Sequence, residues 1–297
     1  MRCRLPLDAP IDLGLTLAPL QRGKGDPTMQ FGPDAVWRAM RTPIGAATLR
    51  VQVADETVVA QAWGDGAEWA MAAVPQLVGA DDDPRAFQPR HRILHEMQRI
   101  TLGMRRCRCP TVAEIVVPTI IEQKVTTIEA HRAYRALVLA LGEPAPGPAG
   151  LWLPPSAERL ATTPYFQLHQ FGIERRRADI IRSACSRAST LERLATLPAD
   201  QGQEKLMSLP GIGPWTAAEV ARVALGDADA VRLGDFHLPH LVSWVLSGEP
   251  RADDVRMMEL LEPYRGQRGR AVRLIELAGR RPPRRAPRRR LRSIALI

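Results

Sequence analysis

The run Leu209-Pro210-Gly211-Ile212-Gly213-Pro214-Trp215-Thr216-Ala217 sets two glycines around one apolar residue, just ahead of a proline and a helix-forming segment. Glu204 to Ser208 is expected to close one helix and Leu209 to Gly213 to form a tight hairpin. Pro214 then falls in the first turn of a second helix, Trp215 to Leu225, where a missing N–H costs least. Glycines in such a turn permit positive φ and let main-chain N–H groups come close to a ligand. Those donors, with the positive end of the second helix, suit a phosphate group. After a loop, Gly226 to Gly234, stands an isolated carboxylate, Asp235, followed by a helix expected from Phe236 through Trp244. Aspartate is a favoured helix N-cap, so capping alone would account for it.

The ordered set of Pro, Gly, apolar, Gly and Thr-Ala, with Asp235 downstream, resembles the helix-hairpin-helix DNA glycosylases, in particular the 3-methyladenine DNA glycosylase II branch. Ile120-Ile121-Glu122-Gln123 is similar to that family's Ile-Leu-x-Gln helix. Phe171-Gly172 through Arg177-Ala178 is similar to its Gly-x-x-x-x-Arg-Ala segment. The resemblance covers about residues 110 to 280 well and the first hundred loosely. It implies that Asp235 is catalytic. Breaking an N-glycosidic bond builds positive charge on the sugar, which a neighbouring carboxylate stabilises while orienting or deprotonating water.

The resemblance also implies a base pocket around Trp215, Glu219 and Phe236. An indole suits a cationic alkylated purine, the alternative for Trp215 being a core residue under the hairpin. Relatives that cut the strand carry a Schiff-base lysine where this chain has Trp215, which implies base release without lyase activity. The main-chain donors of Gly211, Gly213 and Thr216 would bind phosphate, because Pro214 replaces the basic or polar residue common in relatives. Gln123 and Lys124 occupy the place of the wedge that fills the stack when a nucleotide is extruded. Lys124 reads equally well as a surface lysine, and Glu219 replaces an aromatic ring found in some relatives. A monovalent cation at the hairpin is implied, with no organic cofactor and no metal site. The expected partner is double-stranded DNA containing damaged bases, bound by a monomer. The alternatives are a glycosylase for a deaminated or oxidised base, or a DNA-binding module without catalysis.

Composition narrows the class. The 297 residues, 45% hydrophobic, suffice for one large or two ordinary domains. Four cysteines are scattered, and the close pair Cys107 and Cys109 lacks a second pair to complete a metal site. No apolar run reaches membrane-spanning length, and the N-terminal segment up to Pro6 is too short in apolar residues for a signal peptide. A cytoplasmic protein, nucleoid-associated if bacterial, is expected. The net charge is +9, but eight arginines lie between Arg280 and the end, leaving 33 basic against 32 acidic residues elsewhere. That tail, interleaved with prolines, reads as disordered and as a non-specific polyanion arm or a solubilising extension.

These residues need a scaffold. Alternation over 36–40 and 47–53, a turn at Pro43-Ile44-Gly45 and a third run from Thr57 to Trp63 predict strands, with a helix from Ala67 to Val78. From Arg92 the pattern is helical. Thr111 and Glu114 have capping-box spacing ahead of a helix predicted over Ile115 to Val138, kinked early by Pro118. The expected fold is an α+β N-terminal domain (1–90) followed by a mostly α-helical helix-hairpin-helix glycosylase domain (91–279) and the basic tail (280–297).

Overall fold

A computed structural model describes residues 1–283; the basic tail beyond Pro283 lies outside the described residues. The three expected strands form as β3 (Val36–Thr42), β4 (Gly45–Ala54) and β5 (Thr57–Trp63). Two more that the sequence reading did not contain complete the sheet: β1 (Arg2–Pro6) and β2 (Met29–Phe31). All neighbours are antiparallel, in the order β1-β5-β4-β3-β2. β1 is five residues ending on a proline, and it is held by the register Arg2 opposite Gln61. The helix predicted over Ala67 to Val78 forms as two short pieces, Ala67–Ala72 and Val74–Leu77.

Nine helices carry the rest of the argument. They are α1 (Arg92–Ile100), α2 (Val112–Ile121), α3 (Thr127–Leu141), α4 (Arg175–Cys185), α5 (Ala199–Met207), α6 (Pro214–Val220), α7 (Leu238–Ser247), α8 (Asp254–Leu261) and α9 (Arg268–Leu277). The single helix predicted over Ile115 to Val138 is α2 and α3. Pro118 lies inside α2, and the break comes after Ile121, where Lys124 takes φ +59° and Thr126 starts a new helix. Thr126 and Glu129 make the reciprocal capping box that Thr111 and Glu114 were expected to make. Glu114 instead turns to the sheet, accepting hydrogen bonds from Arg38 Nη2 (2.9 Å), the Arg41 N–H (2.6 Å) and Thr111 Oγ1 (3.0 Å). The N–H groups of Val112 and Ala113 donate to Glu192.

Helix α2 is apolar nearly all round because it is surrounded: seven consecutive residues from Ile115 to Ile121 are buried, against α3, α4 and α6. It belongs to a core cluster that includes the inner sheet residues Val36, Leu49 and Val58 together with Ile212, Ala217 and Val220 around the hairpin. A second cluster joins α1, α7, α8 and α9 through Leu94, Leu241, Met257 and Ile275. The stretch from Val231 to Leu238, which carries Asp235, contributes to the second cluster. The hairpin and Asp235 therefore meet at the seam between two packed bodies. No helix of the described residues is long and apolar enough to cross a membrane.

Candidate active site

The hairpin forms as expected between α5 and α6. Gly211 takes φ +82°, and a Cβ there would collide with the side chain of Ile180. Ile212 between the glycines is buried in the core. Gly213 differs from expectation: φ is −92° and ψ −178°, ordinary extended backbone, and a Cβ there would meet nothing within 4 Å. The requirement for glycine on conformational grounds thus holds at one position. Gly211→Ala is expected to cost about 1–2 kcal/mol from the left-handed backbone alone, with displacement of Ile180 in addition. Gly213→Ala is expected to stay within about 0.5 kcal/mol of the parent. Chemical denaturation of both variants checks this contrast.

Gln123, just beyond α2, fastens the hairpin. Its Nε2 donates to the Gly211 carbonyl (3.1 Å) and to Thr216 Oγ1 (2.9 Å), which uses both amide protons. The end of α2 is itself held by Arg177, whose Nη1 donates to the Ile121 carbonyl at 2.7 Å and whose Nη2 donates to the Gly172 carbonyl. This explains physically why a Gly…Arg-Ala segment accompanies the hairpin: the guanidinium fills the carbonyl end of the helix that carries the clamp. Of the two wedge candidates, Gln123 is thus joined to the hairpin, while Lys124 is exposed at the apex of the turn.

The expected second helix, Trp215 to Leu225, is α-helical only to Val220. It finishes as a π turn, Ala221–Leu225, ended by Gly226 in the left-handed conformation. Helix α7 begins at Leu238 rather than Phe236, with Pro239 in its first turn. Asp235 serves it as a cap: Oδ1 accepts from the N–H groups of His237 (2.8 Å) and Leu238 (2.9 Å). Its other oxygen, Oδ2, accepts from the Trp215 indole Nε1 at 2.9 Å. Capping and a poised carboxylate are therefore the same arrangement. Burial would raise the Asp235 carboxyl, but the indole, the two N–H groups and the Arg232 charge outweigh it and hold it below the usual aspartate range. It is ionised at neutral pH.

Glu219, one turn beyond Trp215, is 4% exposed and engaged on both oxygens. Arg222 Nη2 lies 2.6 Å from Oε1, and Arg232 Nη1 lies 3.4 Å from Oε2. Burial alone would raise its carboxyl; Arg222 and Arg232 reverse this and bring it down to about 2. Arg232 also pairs with Glu276 on α9. Phe236 is 80% exposed, its ring edge-on to His237 at 4.9 Å, so it stands beside the site without closing it. Sequence reasoning missed both arginines: the i,i+3 spacing of Glu219 and Arg222 was a signal that could have found one, whereas Arg232 meets Glu219 and Glu276 only in the folded chain.

No protein-family model matches the chain. A Mycobacterium tuberculosis protein named "Probable bifunctional transcriptional activator/DNA repair enzyme AlkA" is 30% identical over 169 residues, 56% of this chain and 32% of that protein. The chain thus spans about a third of the length of that relative. Its fold superposes on a 3-methyladenine DNA glycosylase from Archaeoglobus fulgidus with a TM-score of 0.78, covering 93% of this chain and 97% of the other at 19% identity. An 8-oxoguanine glycosylase/lyase from Clostridium acetobutylicum, solved with DNA, gives a TM-score of 0.62 over 83% of this chain and 95% of its own, at 16% identity. The chain is thus similar in sequence, over part of its length, to an AlkA-type DNA repair enzyme, and its fold is that of the 3-methyladenine and 8-oxoguanine DNA glycosylases.

Proposed function

We propose that the protein releases alkylated purines from duplex DNA by hydrolysis at C1′ and leaves the sugar–phosphate strand intact. The observation that carries this is the Asp235 carboxylate, held ionised by Trp215 and the first N–H groups of α7, at the seam beside the hairpin. Both acceptor positions of Oδ1 are filled, whereas Oδ2 receives only the indole N–H among the described residues. Its remaining lone pair is available to the reaction. As the C1′–N bond breaks, its electron pair leaves with the base, and the positive charge left on the sugar faces Oδ2. Water then adds to C1′ and loses its proton, completing a hydrolysis without a covalent enzyme intermediate. The N–H groups of Gly211, Gly213 and Thr216 would hold the backbone phosphate while Lys124 probes the duplex. No cluster of three His, Cys, Asp or Glu suited to a metal lies among the described residues. A monovalent cation would thus rest on hairpin carbonyls, two of which, on Leu209 and Gly211, already accept hydrogen bonds.

Incubation with duplexes carrying 7-methylguanine, hypoxanthine or 8-oxoguanine, followed by detection of free base, tests the substrate class. Release from the methylated duplex is expected. One observation favours the second reading, a glycosylase for an oxidised or deaminated base: position 219 bears a carboxylate tied to two arginines instead of an aromatic ring. Release from only the neutral lesions would establish it.

Strand cleavage is the sharper test of mechanism. A Schiff base needs an amine, and the chain's lysines are Lys24, Lys124 and Lys205, none on α6 or in the Asp235 loop. The product strand is therefore expected to break only after alkali, with no adduct trapped by borohydride. A trapped adduct would contradict this and point to Lys124, the lysine next to the hairpin clamp.

A further inference from the structure

The Asp235 loop is held from two sides. On one side the Gly234 N–H donates to Asp254 Oδ2 on α8 at 2.7 Å. On the other, Arg232 reaches Glu219 on α6 and Glu276 on α9, so three elements are joined three residues ahead of the carboxylate. The ionic floor extends further: Arg222 pairs with Glu219, Arg273 with Glu276, and Arg22 with Glu122 at 3.3 Å. Four arginines thus stand against three glutamates, an excess of one positive charge beneath the half-buried Asp235. Glu219 has no oxygen free for a base edge, since both are taken by guanidinium groups.

We propose that the Arg232–Glu219 pair fixes the Asp235 carboxylate in position and sets its charge, with Arg232 a positioning residue and Glu219 its counter-ion rather than a base contact. This rests on reading Asp235 as the group facing the sugar. Removing either partner costs the other one of its two ion pairs, Glu219 keeping Arg222 and Arg232 keeping Glu276, so both changes disturb packing alike. Their electrostatic effects are opposite. Loss of the Arg232 charge makes the Asp235 carboxylate harder to form; loss of the Glu219 charge makes it easier. The other ionisable groups around the carboxylate are His237 just ahead of α7, His240 on α7, Asp254 on α8, Arg222 on the π turn and Glu276 on α9, and neither variant alters them.

The test is titration of the Asp235 carboxyl by 13C NMR in the free full-length protein, the signal being identified by its loss in Asp235→Asn. Arg232→Gln is expected to raise its midpoint pH, the proton concentration at half-titration falling roughly three- to tenfold, and Glu219→Gln to lower the midpoint pH. Glu276→Gln should also lower it, which keeps the comparison decisive if Arg232→Gln does not fold. Single-turnover base release at saturating enzyme is expected to fall about 10- to 100-fold in Arg232→Gln, with duplex affinity unchanged and most of the rate restored in Arg232→Lys. Midpoints that stay fixed, or move the same way in the arginine and glutamate variants, overturn the inference. Absence of base release by the parent protein overturns the functional reading instead, and the carboxyl titration still decides the role of Arg232.

Discussion

Asp235→Asn is expected to lower single-turnover base release by roughly 100- to 1,000-fold, the effect of losing about 2.7–4 kcal/mol of transition-state electrostatics. Duplex binding should persist, because the hairpin and its Gln123 clamp lie on other elements. The substitution is not perfectly silent in the free protein. An asparagine oxygen can accept either from the His237 and Leu238 N–H groups or from the Trp215 indole, but not from all three. The amide loses least by keeping its oxygen on the His237 and Leu238 N–H groups; its NH2 then faces the indole donor, and one hydrogen bond worth about 1 kcal/mol is lost. Adding Trp215→Phe removes the opposing donor and should recover that stability without recovering the rate. Near-normal turnover in a folded Asn variant would place the chemistry on another residue.

The largest stability effect is expected at Asp82, in the segment between the sheet and α1. Its oxygens accept from Arg270 Nη2 on α9 at 2.5 and 2.6 Å, and from the Nε (2.7 Å) and main-chain N–H (2.9 Å) of Arg106. Asp82→Ala leaves the Arg270 charge buried without its partner, a loss of about 3–5 kcal/mol. Burial would raise the Asp82 carboxyl, but Arg270 and Arg106 outweigh it and hold it below the ordinary aspartate value. A depressed acid stabilises the fold above its unfolded value, about 3.9, and that contribution disappears as pH falls through the folded value. Denaturation of parent and variant at pH 7 should therefore show the full difference, and the gap should narrow below roughly pH 4. A constant gap across that range would assign the loss to packing instead.

The legible parts of the molecule were those written in contiguous residues. Strands β3, β4 and β5 follow from alternation and a turn, and the hairpin from its glycines and proline. The α+β-then-helical order follows from the change of period near Arg92. β1 and β2 stayed hidden because five and three residues are too few for a period, and their pairing partners supply the reason they are strands. The break between α2 and α3 was obscured because every residue from Ile115 to Ile121 is buried, so the apolar run gave no phase to lose. Within the site, Asp235 and Trp215 were visible as types at a spacing, and the structure brings them to 2.9 Å. Gln123 stood at a wedge position in sequence, yet its amide closes on a hairpin some ninety residues away, a pairing that no local pattern encodes.

The arginines bear on how the protein would meet a polyanion. Arg22, Arg38, Arg105, Arg177 and Arg270 are buried. Arg105 alone donates to the carbonyls of Ala9, Pro10, Gly79 and Asp82. A guanidinium that caps main-chain carbonyls inside the fold displaces no condensed ions from a nucleic acid, so it adds nothing to the slope of log affinity against log salt. The formal charge of +9 therefore overstates the field the folded body turns outward. In the proposed reading its hold on phosphate comes from hairpin N–H dipoles, which respond less to ionic strength than counterion release does. Capacity for counterion release rests with exposed arginines such as Arg92, Arg175 and Arg265, to which the six between Arg284 and Arg292, outside the described residues, add in sequence.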